Sequence, residues 1–112
     1  FEVPQPTLPE YQALLEKISE RLSHPWALAD IAHLLNISER TVSRQFTQQT
    51  GLSFIEWLRR LRLQYSLELL LQGQSVVDVS LTVGYDSPSA FSTAFKQRIG
   101  LSPTQYVAQY ER

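Results

Sequence analysis

One pattern is written twice in this chain. Residues 28–53 read LADIAHLLNISERTVSRQFTQQTGLS, and residues 77–102 read VDVSLTVGYDSPSAFSTAFKQRIGLS. Asp30-Ile31 matches Asp78-Val79 at an offset of 48. Phe46 matches Phe95, and Gly51-Leu52-Ser53 matches Gly100-Leu101-Ser102, at an offset of 49. The second copy therefore carries one extra residue in its central turn. Each copy reads as a short helix, a tight turn, a second helix and a glycine stop.

That order is the pattern of a helix-turn-helix, whose second helix can enter the major groove of DNA. Two such units within about 75 residues are most simply a two-headed DNA reader. A length of 112 residues suits one all-helical unit or two very small ones sharing a helix, and a hydrophobic fraction of 43% supplies a thin core. No run of 18 apolar residues and no basic-then-apolar leader is present, so neither a membrane span nor a signal peptide is expected. The absence of cysteine removes disulfides and thiolate metal sites and fits a reducing compartment. Because the chain opens on Phe1, it reads as cut from a longer protein.

A formal net charge of −1 runs against the basic balance usual for nucleic-acid partners. The charge is uneven, however. Residues 1–30 hold five acidic and two basic residues, whereas residues 31–72 hold five basic and three acidic. Screening limits exposed charges to a range of about 8–10 Å, so the sign at a contact face matters more than the total. Modest non-specific affinity is expected.

Read along the chain, the fold class is all-α: seven helices forming two helix-turn-helix subdomains joined by a long central linker helix. Residues 1–6, with two prolines, read as the remnant of an interdomain linker. The first subdomain spans 7–52, the linker helix 53–73 and the second subdomain 74–112. Thr7-Leu8-Pro9-Glu10 reads as a capping box opening a helix to about Leu22. A second helix runs from about Ala27 to Leu35, with Leu28, Ile31, Ala32 and Leu35 inward, and Asn36 suits a left-handed terminus. Ser38 caps a third helix, about Glu39 to Gln49, anchored by Val42 and Phe46.

Ser53 with Glu56 opens the long helix, about Phe54 to Gln72, with a stripe of Phe54, Leu58, Leu61, Tyr65 and Leu69; it is roughly 28 Å long. Ser75 with Asp78 caps the fifth helix, and Gly84 makes the next turn, with Tyr85 where the first copy has Ile37. Ser87-Pro88 opens a sixth helix to about Arg98, anchored by Phe91 and Phe95. Ser102-Pro103 opens the seventh, which ends near Gln109. No segment shows the alternation of a strand.

With the phenylalanines inward, the opposite faces point out. On the third helix that face holds Arg40, Ser43, Arg44 and Thr47. Arginine offers a fork of donors matching the O6/N7 edge of guanine, or it can hold a phosphate. On the sixth helix the face holds Ser89, Ser92, Thr93, Lys96 and Gln97: short hydroxyls and one cation, suited to phosphate positioning and weak base reading. Arg59, Arg60 and Arg62 form the densest basic run, read as a solvated or ion-paired face, with Arg62 placed to pair with an acid such as Asp78 or Asp30. His24 and His33 lack a ligand partner at helical spacing, Trp26 and Trp57 read as core, and no catalytic constellation stands out, so no metal, cofactor or enzymatic activity is expected.

From Trp26 to Tyr106 the chain resembles the C-terminal DNA-binding domain of AraC/XylS-type bacterial transcription regulators. The two repeated stretches carry the resemblance, together with FIEWLRRLRLQYSLELLLQG, which is similar to that family's linker helix. The resemblance implies two helix-turn-helix units reading adjacent major-groove segments of double-stranded DNA. Base contacts would fall on Arg40, Ser43 and Arg44 in the first unit and near Ser89, Ser92 and Thr93 in the second. It also implies a cytoplasmic bacterial protein, RNA polymerase as a further partner, and a separate N-terminal effector or dimerisation domain.

Thr93 stands where the family commonly has arginine, Ser66 and Ser80 where it has alanine, and Val107 where arginine often follows the tyrosine. The first departure lowers the base-reading power expected of the second unit. Each of the two serines needs a carbonyl partner if it is buried. Two other classes compete with this reading. One is a helical protein-interaction module that has lost DNA affinity, in keeping with the acidic balance. The other is an accessory domain of a DNA-repair alkyltransferase, whose reactive cysteine this sequence lacks.

Overall fold

The computed structural model describes residues 2–110. Phe1, Glu111 and Arg112, the outer ends of the expected linker and second subdomain, lie outside the described residues. Seven helices and no strand occur among those described: α1 Pro9–Glu20, α2 Leu28–Leu35, α3 Glu39–Thr50, α4 Phe54–Leu71, α5 Val76–Thr82, α6 Pro88–Ile99 and α7 Pro103–Tyr110. The chain divides into two compact units, residues 2–61 and residues 62–110, with the division falling inside α4. None of the helices is long and apolar enough to cross a membrane.

Local chemistry accounts for most boundaries. Serine hydroxyls accept the N–H three residues on at Ser38 (Thr41, 3.1 Å), Ser53 (Glu56, 3.2 Å), Ser75 (Asp78, 3.1 Å), Ser87 (Ala90, 3.0 Å) and Ser102 (Gln105, 3.1 Å). Gln105 returns the favour to the Ser102 N–H at 3.0 Å, a complete capping box. Two starts lack a side-chain cap from their own N-cap residue, and the first of them differs from the sequence expectation. α1 is not opened by the Thr7 hydroxyl: Leu8 is its N-cap residue and makes no side-chain cap. The N–H groups of Thr7 and Leu8 donate instead to Gln49 Oε1 on α3, each at 3.0 Å. At α2, Ala27 has no side-chain acceptor to offer, and the Asp30 carboxylate reaches back to the Ala27 N–H at 2.8 Å.

The turns between paired helices repeat in detail. Asn36 donates to the His33 carbonyl at 3.2 Å and Ile37 to Ala32 at 3.1 Å. In the second copy Gly84 donates to Leu81 at 3.2 Å and Tyr85 to Ser80 at 2.9 Å. Both are the paired closing bonds that finish a helix on a left-handed residue, here at φ 55° for Asn36 and 98° for Gly84. The extra residue of the second copy is Asp86, lying between Tyr85 and the capping Ser87.

In the first unit Phe46 is the hub. Its ring meets Tyr11 at 5.2 Å, Phe54 at 5.3 Å and Trp57 at 5.2 Å, all edge-on, and Ile18, Ile31 and Val42 are among the other buried residues. In the second unit Phe91 packs against Tyr85 at 5.5 Å and Phe95 at 5.6 Å, and Phe95 meets Tyr106 at 5.7 Å. The stripe expected along α4 holds for Phe54, Leu58 and Leu61, joined by Trp57, but not for Tyr65 and Leu69, which are half-buried. Past Leu61 the buried residues are Leu63, Ser66 and Leu70, because the second half of the helix belongs to the other unit. Buried Ser66 donates to the Leu63 carbonyl at 2.6 Å and Ser80 to Val77 at 2.7 Å, so each hydroxyl is satisfied within its own helix.

Candidate nucleic-acid interface

α3 and α6 are each twelve residues long and each is bound to its unit by two large apolar side chains four residues apart. Val42 and Phe46 on α3, and Phe91 and Phe95 on α6, are almost wholly removed from solvent. Residues three and four apart share a helix face, so these anchors leave the complementary face outward. On α3 that face carries Arg40, Ser43, Arg44 and Thr47, all exposed. On α6 it carries Ser89, Thr93 and Lys96, exposed, and Ser92, half-buried.

The eight residues are four positions used twice. At the offset of 49 that aligns Phe46 with Phe95, Arg40 falls on Ser89, Ser43 on Ser92, Arg44 on Thr93 and Thr47 on Lys96. No acid stands at any of them. The Thr47 hydroxyl donates to the Ser43 carbonyl at 3.0 Å, which fixes the threonine against its own helix. α6 carries no acid in its first turn, and both Lys96 and Arg98 fall in its last turn. α3 presents two guanidinium forks, and α6 offers hydroxyls and one ammonium.

The other polar groups singled out by sequence take different places. Glu56 is shared by Arg59 at 3.8 Å and Arg60 at 3.6 Å, spacings of one helical turn on α4. Arg62 is half-buried, and Tyr85 and Asp86, the inserted turn residue, are electrostatic neighbours of it. Burial pushes its guanidinium below the usual arginine value, and the two neighbours counter that. Trp57 is core as expected, but Trp26 is only half-buried. Its ring meets His24 at 4.5 Å, its Nε1 donates to the Arg21 carbonyl at 2.9 Å, and with His33 these residues line an open cleft of about 510 Å³. No group of three metal-ligating side chains occurs among the described residues.

Sequence reasoning left out Gln45 and Gln49, both half-buried. Tyr11 donates to Gln45 Oε1 at 2.6 Å, and Gln49 receives the two N–H groups before α1. Their i, i+4 spacing on α3 was a signal, since the second copy has Ala94 and Arg98 at the same places.

The profile of a helix-turn-helix domain family matches residues 31–109. A transcriptional regulator of Escherichia coli K12, NimR, is 35% identical over 107 residues, covering 96% of this chain and 39% of the regulator. The chain thus spans well under half the length of this relative. Among solved structures, an AraC-type DNA-binding domain protein from Chromobacterium violaceum superposes with a TM-score of 0.84 at 26% identity, covering 93% of this chain and 94% of that one. The DNA-binding domain of AdpA, solved in complex with a target DNA, superposes with a TM-score of 0.83 at 28% identity, covering 93% and 94%.

Proposed function

The chain belongs to the AraC-type helix-turn-helix family, and from that premise we propose that it binds double-stranded DNA with sequence preference as part of a bacterial transcription regulator. The carrying observation is the pair of outward stripes, four matched positions on α3 and α6 that hold cations and hydroxyls and no acid. In this reading α3 and α6 enter adjacent major-groove segments. Arg40, Ser43 and Arg44 read base edges, and Thr47 supports them; Ser89, Ser92, Thr93 and Lys96 place the second unit on phosphates and read weakly. The domain acts as a binding module and not as an enzyme, in the cytoplasm where bacterial DNA lies. An additional N-terminal domain in the full-length protein and RNA polymerase as a second partner complete the proposal; the greater length of NimR supports the former.

Selection of duplexes from a random pool, followed by titration of wild type and Arg44→Ala, tests it. The expected loss is about 1–3 kcal/mol on the selected duplex, with preference relaxed at one base pair. Four to six phosphate contacts give a log-log salt slope of about −4 to −5. Failure to enrich any duplex refutes the DNA reading and favours a protein-interaction module. Equal losses on selected and random duplexes reassign Arg44 to a phosphate.

A further inference from the structure

The segment before α1, read from sequence as the remnant of an interdomain linker, is strapped to the first unit. Val3 is 7% exposed and Pro6 is buried. The Trp57 indole N–H donates to the Pro4 carbonyl at 2.8 Å. Gln49 Oε1 accepts from both Thr7 and Leu8, and Gln49 Nε2 donates to the Gln45 carbonyl at 3.2 Å, which ties the clamp back into α3. Gln45 in turn accepts from Tyr11 of α1 at 2.6 Å. So one flank of α3 is held by the chain that leads into the unit, while another flank carries the arginines. Gln49 lies five residues beyond Arg44, about 7.5 Å along the helix axis, so a tilt imposed at Gln49 reaches Arg44 through a rigid element.

We infer that residues 3–8 form a strap that positions α3 through Gln49, so that seating or release of the strap tunes how tightly α3 engages DNA. The inference rests on the DNA reading above. It is confined to the first unit, since Ala94 and Arg98 replace the two glutamines in the second copy. Gln49 is a positioning residue here and touches no base. Any domain preceding the strap in the full-length protein would gain, by pulling on it, a mechanical route to the recognition helix. Linkage makes the effect reciprocal: if a seated strap favours DNA binding, bound DNA must favour a seated strap.

The test combines duplex titration with hydrogen exchange followed by NMR at the Thr7 and Leu8 amides and the Trp57 indole. Gln49→Ala removes the acceptor. Gln49→Glu keeps it but adds a charge, so Gln48→Glu, an exposed neighbour, serves as the charge control. We expect Gln49→Ala to weaken binding to a selected duplex by about fivefold or more, the lower end of ordinary coupling between sites. Gln49→Glu should lose no more than Gln48→Glu, and saturating duplex should slow wild-type exchange at Thr7 and Leu8 by a factor similar to the loss in Gln49→Ala. Faster strap exchange in Gln49→Ala with unchanged duplex affinity overturns the inference, as does wild-type exchange indifferent to duplex, an arm that needs no folded variant. A wild-type chain that binds no duplex overturns the DNA reading and the strap's role with it; equal binding by wild type and Gln49→Ala overturns the strap alone.

Discussion

Truncating Phe46 to alanine should unfasten α3 from the molecule. The ring is 1% exposed and makes three edge-on aromatic contacts at 5.2–5.3 Å, to Tyr11, Phe54 and Trp57. Phenylalanine-to-alanine changes in packed cores cost about 3–5 kcal/mol. Each aromatic pair adds about 0.5–1.5 kcal/mol beyond burial, which places Phe46→Ala near the upper end, at about 4–5 kcal/mol. Small domains have only about 5–15 kcal/mol in total, so the first unit becomes marginal. With a urea slope of about 1.5 kcal/mol per molar, the midpoint falls by about 3 M.

The chain supplies its own reporter for this loss. Both tryptophans, Trp26 and Trp57, lie in residues 2–61, whereas the second unit has only tyrosines, so fluorescence excited at the tryptophan edge follows the first unit. Phe46→Ala should shift that transition, while circular dichroism retains a helical signal from residues 62–110. A shift of less than about 1 M would show that α3 is held mainly by something other than the aromatic hub.

Other expectations follow the same logic. Thr93→Arg puts an arginine at the position matching Arg44; repeated selection should reveal a new guanine preference worth about 1–3 kcal/mol, and a uniform gain on all duplexes would refute base reading there. Tyr11 and Tyr106 have their phenol values raised, first by burial and then by Glu10 and Tyr110 respectively. The neutral phenol is therefore favoured in the folded state. Its contribution is complete below the ordinary value of 10.0 and is lost as pH rises through the higher folded value. Urea midpoints should fall above about pH 10, and Tyr11→Phe should flatten that decline; an equally steep fall in the variant would contradict it. Ser75→Ala removes the cap of the seven-residue α5 and should cost about 1 kcal/mol in denaturant unfolding of the second unit, with no change implying that the cap is redundant.

What could be read from sequence was whatever neighbours decide locally. Serine caps, the left-handed Asn36 and the terminal glycines need only residues a turn away, and all fell where expected. The outward stripes on α3 and α6 followed from the phenylalanine anchors for the same reason. Misreadings arose where a distant group supplied the answer. Thr7 looked like a cap, but Gln49, some forty residues on, takes the donors before α1. The prolines near Val3 gave no hint that Trp57 holds that segment by its Pro4 carbonyl. The stripe on α4 was drawn as one periodic line, and it changes phase where the helix passes from one core to the next.

That insertion has a consequence for anyone transplanting recognition residues between the two halves. Counting from the paired aspartates, 48 separates the copies; counting from the phenylalanines, 49 does. A graft aligned on the wrong landmark turns the helix by about 100°, delivering the substitute for Phe46 to Ala94 and leaving the hydrophobic socket of Phe95 to Thr47. The additional aspartate thus acts as a frame marker, and mutational swaps that ignore it would disrupt folding before they could alter recognition.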